Sequence, residues 1–243
     1  MSLLYIIKFG IINLLTNTVQ AITGFGGGVL AMPFAAFLFG VRTLIPTFLT
    51  LGLIINLYIF ILSYKHVHFR KYLQMVIYMG MGIPFGIYIF ANFPEEILEI
   101  IIATFITIIA IRELYNLRYK KEKKKINNKV LKFILFLGGC VQGAFGIGGP
   151  LVVVYAGQVL KDKKRFRATL ALLWITLNSY LVGRGFVNNL ITTEVIKLVL
   201  FTLPFLVCGA LLGNKIHYKI NNNIFNKGVY LILLISGILM YFN

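Results

Sequence analysis

Six segments of this sequence run for about 20 residues with few charges: 44–63, 73–92, 95–115, 168–186, 194–214 and 224–242. That is the length a helix needs to cross the ~30 Å hydrocarbon core of a bilayer. Within that core every backbone N–H and C=O must find a partner inside the protein, so a continuous apolar run of this length reads as a helix. Composition agrees: 59% of the 243 residues are hydrophobic and 13% are charged. A soluble domain carries roughly 45–50% apolar and about 25% charged residues. A soluble enzyme, a disordered chain and a collagen-like fibre are set aside, leaving an all-α polytopic membrane protein.

Two further apolar stretches do not fit a single crossing. Residues 3–40 are broken by Thr23-Gly24-Phe25-Gly26-Gly27-Gly28, and residues 130–160 by Gly146-Ile147-Gly148-Gly149-Pro150. An unbroken 3–40 helix would be ~57 Å long at ~1.5 Å per residue, far more than the bilayer core. The pieces after the breaks, 29–40 and 150–160, are only half a span. The expectation is two helical hairpins, 3–40 and 130–160, whose tips lie within the membrane.

The net charge of +17, from 24 Lys+Arg against 7 Asp+Glu, acts as a topology signal. If both broken stretches are hairpins, 20 basic residues fall on one side: Lys65, Arg70 and Lys71; nine from Arg112 to Lys132; Lys161, Lys163, Lys164, Arg165 and Arg167; and Lys215, Lys219 and Lys227. Only Lys8, Arg42, Arg184 and Lys197 fall on the other, with Glu95, Glu96, Glu99 and Glu194. Full crossings would give 15 against 9. An excess of Lys and Arg marks the cytoplasmic side, so the hairpin arrangement is preferred, in the cytoplasmic (inner) cell membrane. The cluster Lys120–Lys125 suits anionic lipid. Nucleic acid is not an expected partner, and a homo-oligomer is left open. No basic region precedes the first apolar run, so no cleavable signal peptide is expected.

The chain repeats itself. A shift of 122 residues brings Gln20 onto Gln142, Gly24 onto Gly146, Gly26 onto Gly148, Gly27 onto Gly149, Thr47 onto Thr169 and Asn56 onto Asn178. A shift of 127 then aligns Gly82 with Gly209, Gly86 with Gly213 and Ile97 with Ile224. The expected organisation is a first repeat, 1–115, a basic cytoplasmic linker, 116–129, and a second repeat, 130–243. Each repeat is a broken-helix hairpin plus three spanning helices. Three crossings per repeat would place the two copies in opposite orientations. Inverted repeats with broken helices near the midplane are a transporter architecture.

The breaks suggest chemistry. A half-helix that begins inside the membrane points free N–H groups and the positive end of its dipole at the tip, which suits an anion. Pro150 fits the first turn of such a helix, where no N–H is needed. Gly26, Gly27, Gly28, Gly148 and Gly149 would let a ligand approach the backbone; the alternative is that they serve close helix packing. Gln20, Gln142, Asn56 and Asn178 are amides inside apolar runs, with Thr23, Thr50, Thr176 and Ser179 near them in sequence. They read either as donors lining a central site or as interhelical hydrogen bonds. No carboxylate lies in the middle of any span, which argues against a carboxylate proton relay. His66 and His68 read as solvated loop residues, Arg184 as an interface arginine, and Cys140 and Cys208 as small buried hydrophobes. No metal, cofactor or catalytic residue is expected: no nucleophile motif, HExxH or nucleotide-phosphate loop is present.

Two stretches, Gln20-Ala-Ile-Thr-Gly-Phe-Gly-Gly-Gly-Val-Leu-Ala-Met-Pro33 and Gln142-Gly-Ala-Phe-Gly-Ile-Gly-Gly-Pro-Leu151, resemble the sulfite exporter family TauE/SafE, also called the toluene sulfonate uptake permeases. The resemblance covers nearly the whole chain. It implies an inner-membrane transporter, not an enzyme, for sulfite, sulfonates or related sulfur-containing anions. It also implies that Gln20, Gly24, Gly26, Gly27 and their partners Gln142, Gly146, Gly148 and Gly149 lie at the substrate path. Gly28 in the first copy is matched by Pro150 in the second, so the two tips are not equivalent.

The reading is therefore a secondary transporter that holds a small anion near the midplane while the two halves alternate access. The expected site comprises Gln20, Thr23, Gly24, Phe25, Gly26, Gly27, Gly28, Asn56, Gln142, Gly146, Ile147, Gly148, Gly149, Pro150 and Asn178. A channel of the same fold, or a transporter of another small organic anion, is the alternative.

Overall fold

A computed structural model describes residues 3–23, 26–119, 126–160 and 162–216, together with positions 231, 234, 235, 237, 238 and 241. Nine α-helices are present among them: α1 Leu3–Thr23, α2 Gly27–Ala36, α3 Val41–Ser63, α4 Phe69–Asn92, α5 Glu95–Tyr119, α6 Asn128–Phe145, α7 Gly149–Val159, α8 Lys163–Val187 and α9 Thr193–Ile216. Four helical stretches, Val41–His66, Phe69–Asn92, Lys163–Val187 and Thr193–Lys215, are long and apolar enough to cross a membrane. They contain the spans expected at 44–63, 73–92, 168–186 and 194–214. The span expected at 95–115 falls within the 25-residue α5. Most of the span expected at 224–242, and residues 120–125 of the basic linker, lie outside the described residues.

Local chemistry sets the helix ends. The side chain of Asn127 caps α6 by accepting the N–H of Lys129 at 2.9 Å. Asp162 caps α8 by accepting those of Lys164 and Arg165 at 2.7 and 3.2 Å. Each satisfies donors that a helix start leaves without an intrahelical partner. Pro94 stands just before α5, whose first turn carries Glu95 and Glu96 against the positive end of its dipole. Helix α6 stops at Gly146, which takes the left-handed φ of 69° and returns its N–H to Gln142 O at 2.9 Å.

The apolar stretches expected to break do so: α1 gives way to the 10-residue α2, and α6 to the 11-residue α7. The two arms of each broken pair pack against each other. Large apolar side chains remain on the outer surface of the bundle, among them Phe85, Tyr88, Phe186, Leu200 and Phe201. Water would oppose so much exposed apolar surface, and lipid accepts it. Cys208, expected to be buried, lies on that outer surface, and Cys140 is half-buried.

Helix pairing is reciprocal between the halves. The dominant contacts are α4 with α6, α1 with α9, and α3 with α8. Exchanging the halves turns the first pair into the second and leaves the third unchanged. The agreement extends to single atoms. A Cβ at Gly82 would strike Phe136 O, and one at Gly209 would strike Leu14 O; one at Gly86 would strike Cys140 O, and one at Gly213 would strike Thr18 O. Leu14 and Phe136 are 122 residues apart, as are Thr18 and Cys140. Gly139 and Gly143 of α6 complete one seam, lying against Met79 O and Ile83 O of α4. Lipid gives helices no hydrophobic reason to associate, so backbone contact at small residues supplies the packing energy instead.

Candidate substrate site

The two breaks meet at the centre of the molecule. Gly28, in the first turn of α2, stands opposite Ile147 in the second break, a Cβ on Gly28 falling 3.7 Å from Ile147 Cγ2. Helices α3 and α8 close the sides. Between them lies a cavity of about 60 Å³, enough for several waters or a small ion. Ten of the expected site residues line it: Gln20, Gly26, Gly27, Gly28, Asn56, Gln142, Gly146, Ile147, Gly149 and Asn178. Gly148 and Pro150 do not line it. Gly148 sits where a Cβ would strike Gly138 O of α6, so it serves the packing of α7 on α6. Pro150 takes the first turn of α7, as its missing N–H allows. Thr23 ends α1, and Gly24 and Phe25 lie outside the described residues. Thr50 bonds back to Pro46 O in its own helix at 2.8 Å, Thr176 joins Leu172 O and Tyr72, and Ser179 faces outward.

Of the two readings open for the glutamines, the hydrogen bonds they make are those between helices and across the breaks. Gln20 Oε1 accepts the N–H of Gly27 at 3.1 Å, and Gln142 Oε1 accepts that of Gly148 at 2.9 Å. Each reaches from the helix before a break to the first N–H groups after it. A buried donor left unpaired costs about 1–3 kcal/mol, so each glutamine lets a helix start in the buried interior of the bundle. Their oxygens are therefore engaged as caps. Gln142 is used at both ends, since its Nε2 also donates to Asn178 Oδ1 at 2.9 Å.

The remaining helix-start donors differ between the two tips. In α2 the first intrahelical bond is Leu30 N–H to Gly26 O, at 2.9 Å. No carbonyl of the same helix can take the N–H groups of Gly28 and Val29, and both residues line the cavity. In α7 proline has no N–H at position 150, and of its first-turn residues only Gly149 lines the cavity. The N-terminus of α2 is therefore the richer donor surface. Gly26, just before it, needs its glycine for a φ of 96°, with nothing within 4 Å of where a Cβ would stand.

Sequence reasoning missed Asn13 and Asn17, which line the same cavity. They lie seven and three residues before Gln20, and so on one face of α1. Both are buried, and each turns its amide nitrogen back into its own helix: Asn13 Nδ2 to Phe9 O at 2.9 Å and Asn17 Nδ2 to Asn13 O at 2.8 Å. Phe48, Leu51, Gly52, Val29 and Trp174 complete the wall and were likewise not foreseen. Among the described residues no group of three or more His, Cys, Asp or Glu could hold a metal ion. His66 and His68 sit in the short connection between α3 and α4, where His68 N–H donates to Thr169 Oγ1 at 2.9 Å.

Neither a curated protein nor a solved structure matches the chain. The sequence model of the family described as Sulfite exporter TauE/SafE does match, over residues 9–240. That match takes in both helix breaks, both glycine seams and every residue of the cavity, and the chain belongs to the sulfite exporter TauE/SafE family of membrane transporters.

Proposed function

We propose that this protein is a secondary transporter of small sulfur-containing oxyanions, sulfite, a sulfonate or a related ion. It would act across the cytoplasmic membrane, with the basic linker 116–129 on the cytoplasmic side. The observation that carries the reading is the cavity between the two helix breaks, where the N-terminus of α2 brings Gly28 and Val29 to the wall. A helix start of this kind favours negative charge, and transporter sites are commonly built from such half-helices near the midplane. Reciprocal packing of α4 on α6 and α1 on α9 supports two structurally equivalent halves, and opposite orientation of those halves is part of the proposal. Gln20, Gln142, Asn178 and the break glycines hold the site open, and Asn56 contacts the ion.

The test is flux in proteoliposomes containing the full-length protein. Sulfite flux should saturate with concentration and show counter-flow; flux that rises without limit would make the protein a channel. Gly28→Leu should abolish flux while the protein still elutes as one species in detergent. A Cβ at this position makes only ordinary contacts, at 3.7 and 3.8 Å, so the longer side chain enters the cavity. Undiminished flux in that variant rejects the site. Cysteines introduced at positions 42 and 163 should be labelled from opposite sides of the membrane.

A further inference from the structure

Asn56 is 2% exposed and lines the cavity. Its Nδ2 donates to Gly52 O at 2.7 Å. A backbone carbonyl can only accept, so this bond fixes which way the amide faces. The bond uses one of the two hydrogens on Nδ2 and leaves Asn56 Oδ1 buried with no hydrogen-bond donor among the described residues.

The second half shows what is missing. Asn178, 122 residues on, has its Oδ1 satisfied by Gln142 Nε2 at 2.9 Å. Gln20, the counterpart of Gln142, caps Gly27 but does not reach Asn56. One link of the network, complete in the second half, is open in the first, and it opens at the cavity. Asn13 and Asn17 also turn their amide nitrogens into α1, Asn17 Nδ2 reaching Asn13 Oδ1 at 3.4 Å as well. The α1 and α3 wall thus carries amide oxygens beside the donor surface at the start of α2, and of these Asn56 Oδ1 is buried and without a partner among the described residues.

A fully deprotonated oxyanion carries only acceptors. It satisfies the α2 surface but sets a lone pair against Asn56 Oδ1. A monoanion with an O–H of its own satisfies both walls. Resting on the proposed function above, we infer that the transported species is a monoanion bearing a hydroxyl donor, either a protonated oxyanion or a hydroxylated sulfonate, and that Asn56 Oδ1 accepts that hydrogen bond and selects for it. Where the substrate is a protonated oxyanion, a proton then crosses on the substrate itself, with no carboxylate relay required.

Two sulfonates of equal charge and similar size test this in wild-type proteoliposomes: hydroxymethanesulfonate, which has the hydroxyl, and ethanesulfonate, which has a methyl in its place. Hydroxymethanesulfonate should compete with sulfite flux about ten- to a hundredfold more strongly, the range expected for one buried acceptor left unpaired. With equal pH on both sides, sulfite flux at fixed total concentration should fall as pH rises and the protonated monoanion is depleted. Asn56→Leu should bring the two sulfonates to equal potency, and the wild-type comparison stands even if that variant fails to fold. Equal competition by both sulfonates in wild type overturns the inference, and an added requirement for sodium would assign the oxygen to a cation. Wild-type protein that moves neither sulfite nor any sulfonate overturns the transport reading and this inference with it; saturable sulfite flux with equal competition overturns the inference alone.

Discussion

The two halves of this protein share a scaffold and differ in what they place on it. On the α4 and α9 side of the seams packing follows the repeat to the atom: Gly82 and Gly86 meet the α6 backbone as Gly209 and Gly213 meet that of α1. The cavity does not follow it. Asn13 and Asn17 on α1 correspond to Leu135 and Gly139 on α6, and Gly28 at the start of α2 corresponds to Pro150 in α7. Helix association in lipid has few solutions and each half needs one, so the seams stay alike. A bound ligand has two different ends, and a symmetric site would offer both ends the same groups.

The strongest way to break the symmetric part is to widen a seam. Gly86→Leu and Gly213→Leu should each prevent recovery of a monodisperse protein in detergent, judged by size exclusion, because backbone atoms block the new side chain. If one half tolerates the change and the other does not, the halves are not equivalent in packing. Next in size is the pair of capping glutamines. Gln142→Leu strands Gly148 N–H and Asn178 Oδ1, and Gln20→Leu strands Gly27 N–H. At about 1–3 kcal/mol for each stranded group, Gln142→Leu should lower the melting temperature more than Gln20→Leu. Equal losses would mean that the Gln142–Asn178 link contributes nothing.

The asymmetric part is sharpened by giving the first half the second half's residue. Asn13→Leu, matching Leu135, should raise the KM for sulfite several-fold with little change in melting temperature. An unchanged KM would return Asn13 to a purely structural role. The smallest effect concerns the helix caps. The N–H groups of Arg165 and Lys164, aided by nearby positive charge, hold the Asp162 carboxyl below its ordinary range. Its folded value is lowered, so its stabilisation is present above the unfolded value and is lost as pH falls through the folded one. Asp162→Asn should flatten the fall in melting temperature on acidification below the usual carboxylate range. Asn127, a neutral cap at the start of α6, provides a non-titrating counterpart, and Asn127→Ala should lower stability equally at all pH values.

Much of the architecture was legible because bilayer thickness converts sequence length into structure. Four apolar runs became long helices, and the glycine runs became breaks, since no single helix of residues 3–40 fits the core. Within the site, what could be read was what the halves share: Gln20 with Gln142, and Asn56 with Asn178. Asn13 and Asn17 stood at helical spacing from Gln20, but matching one half against the other hides a residue that only one half possesses. The role of Gly148 was not readable either, because the carbonyl it meets, Gly138 O, is set by how α7 folds back on α6. For the glutamines the residue type was visible and the direction of the amide was not. Which end faces the cavity depends on where the next helix begins.

The glycine seams also determine which parts can travel together. Each joins a helix of one half to a helix of the other, α4 to α6 and α1 to α9, through backbone contacts that leave no slack. Any opening that preserves those contacts must carry α1 with α9 and α4 with α6. If the two halves alternate access as proposed, each moving body would draw one helix from each half, so the sequence repeat would not be the unit that moves.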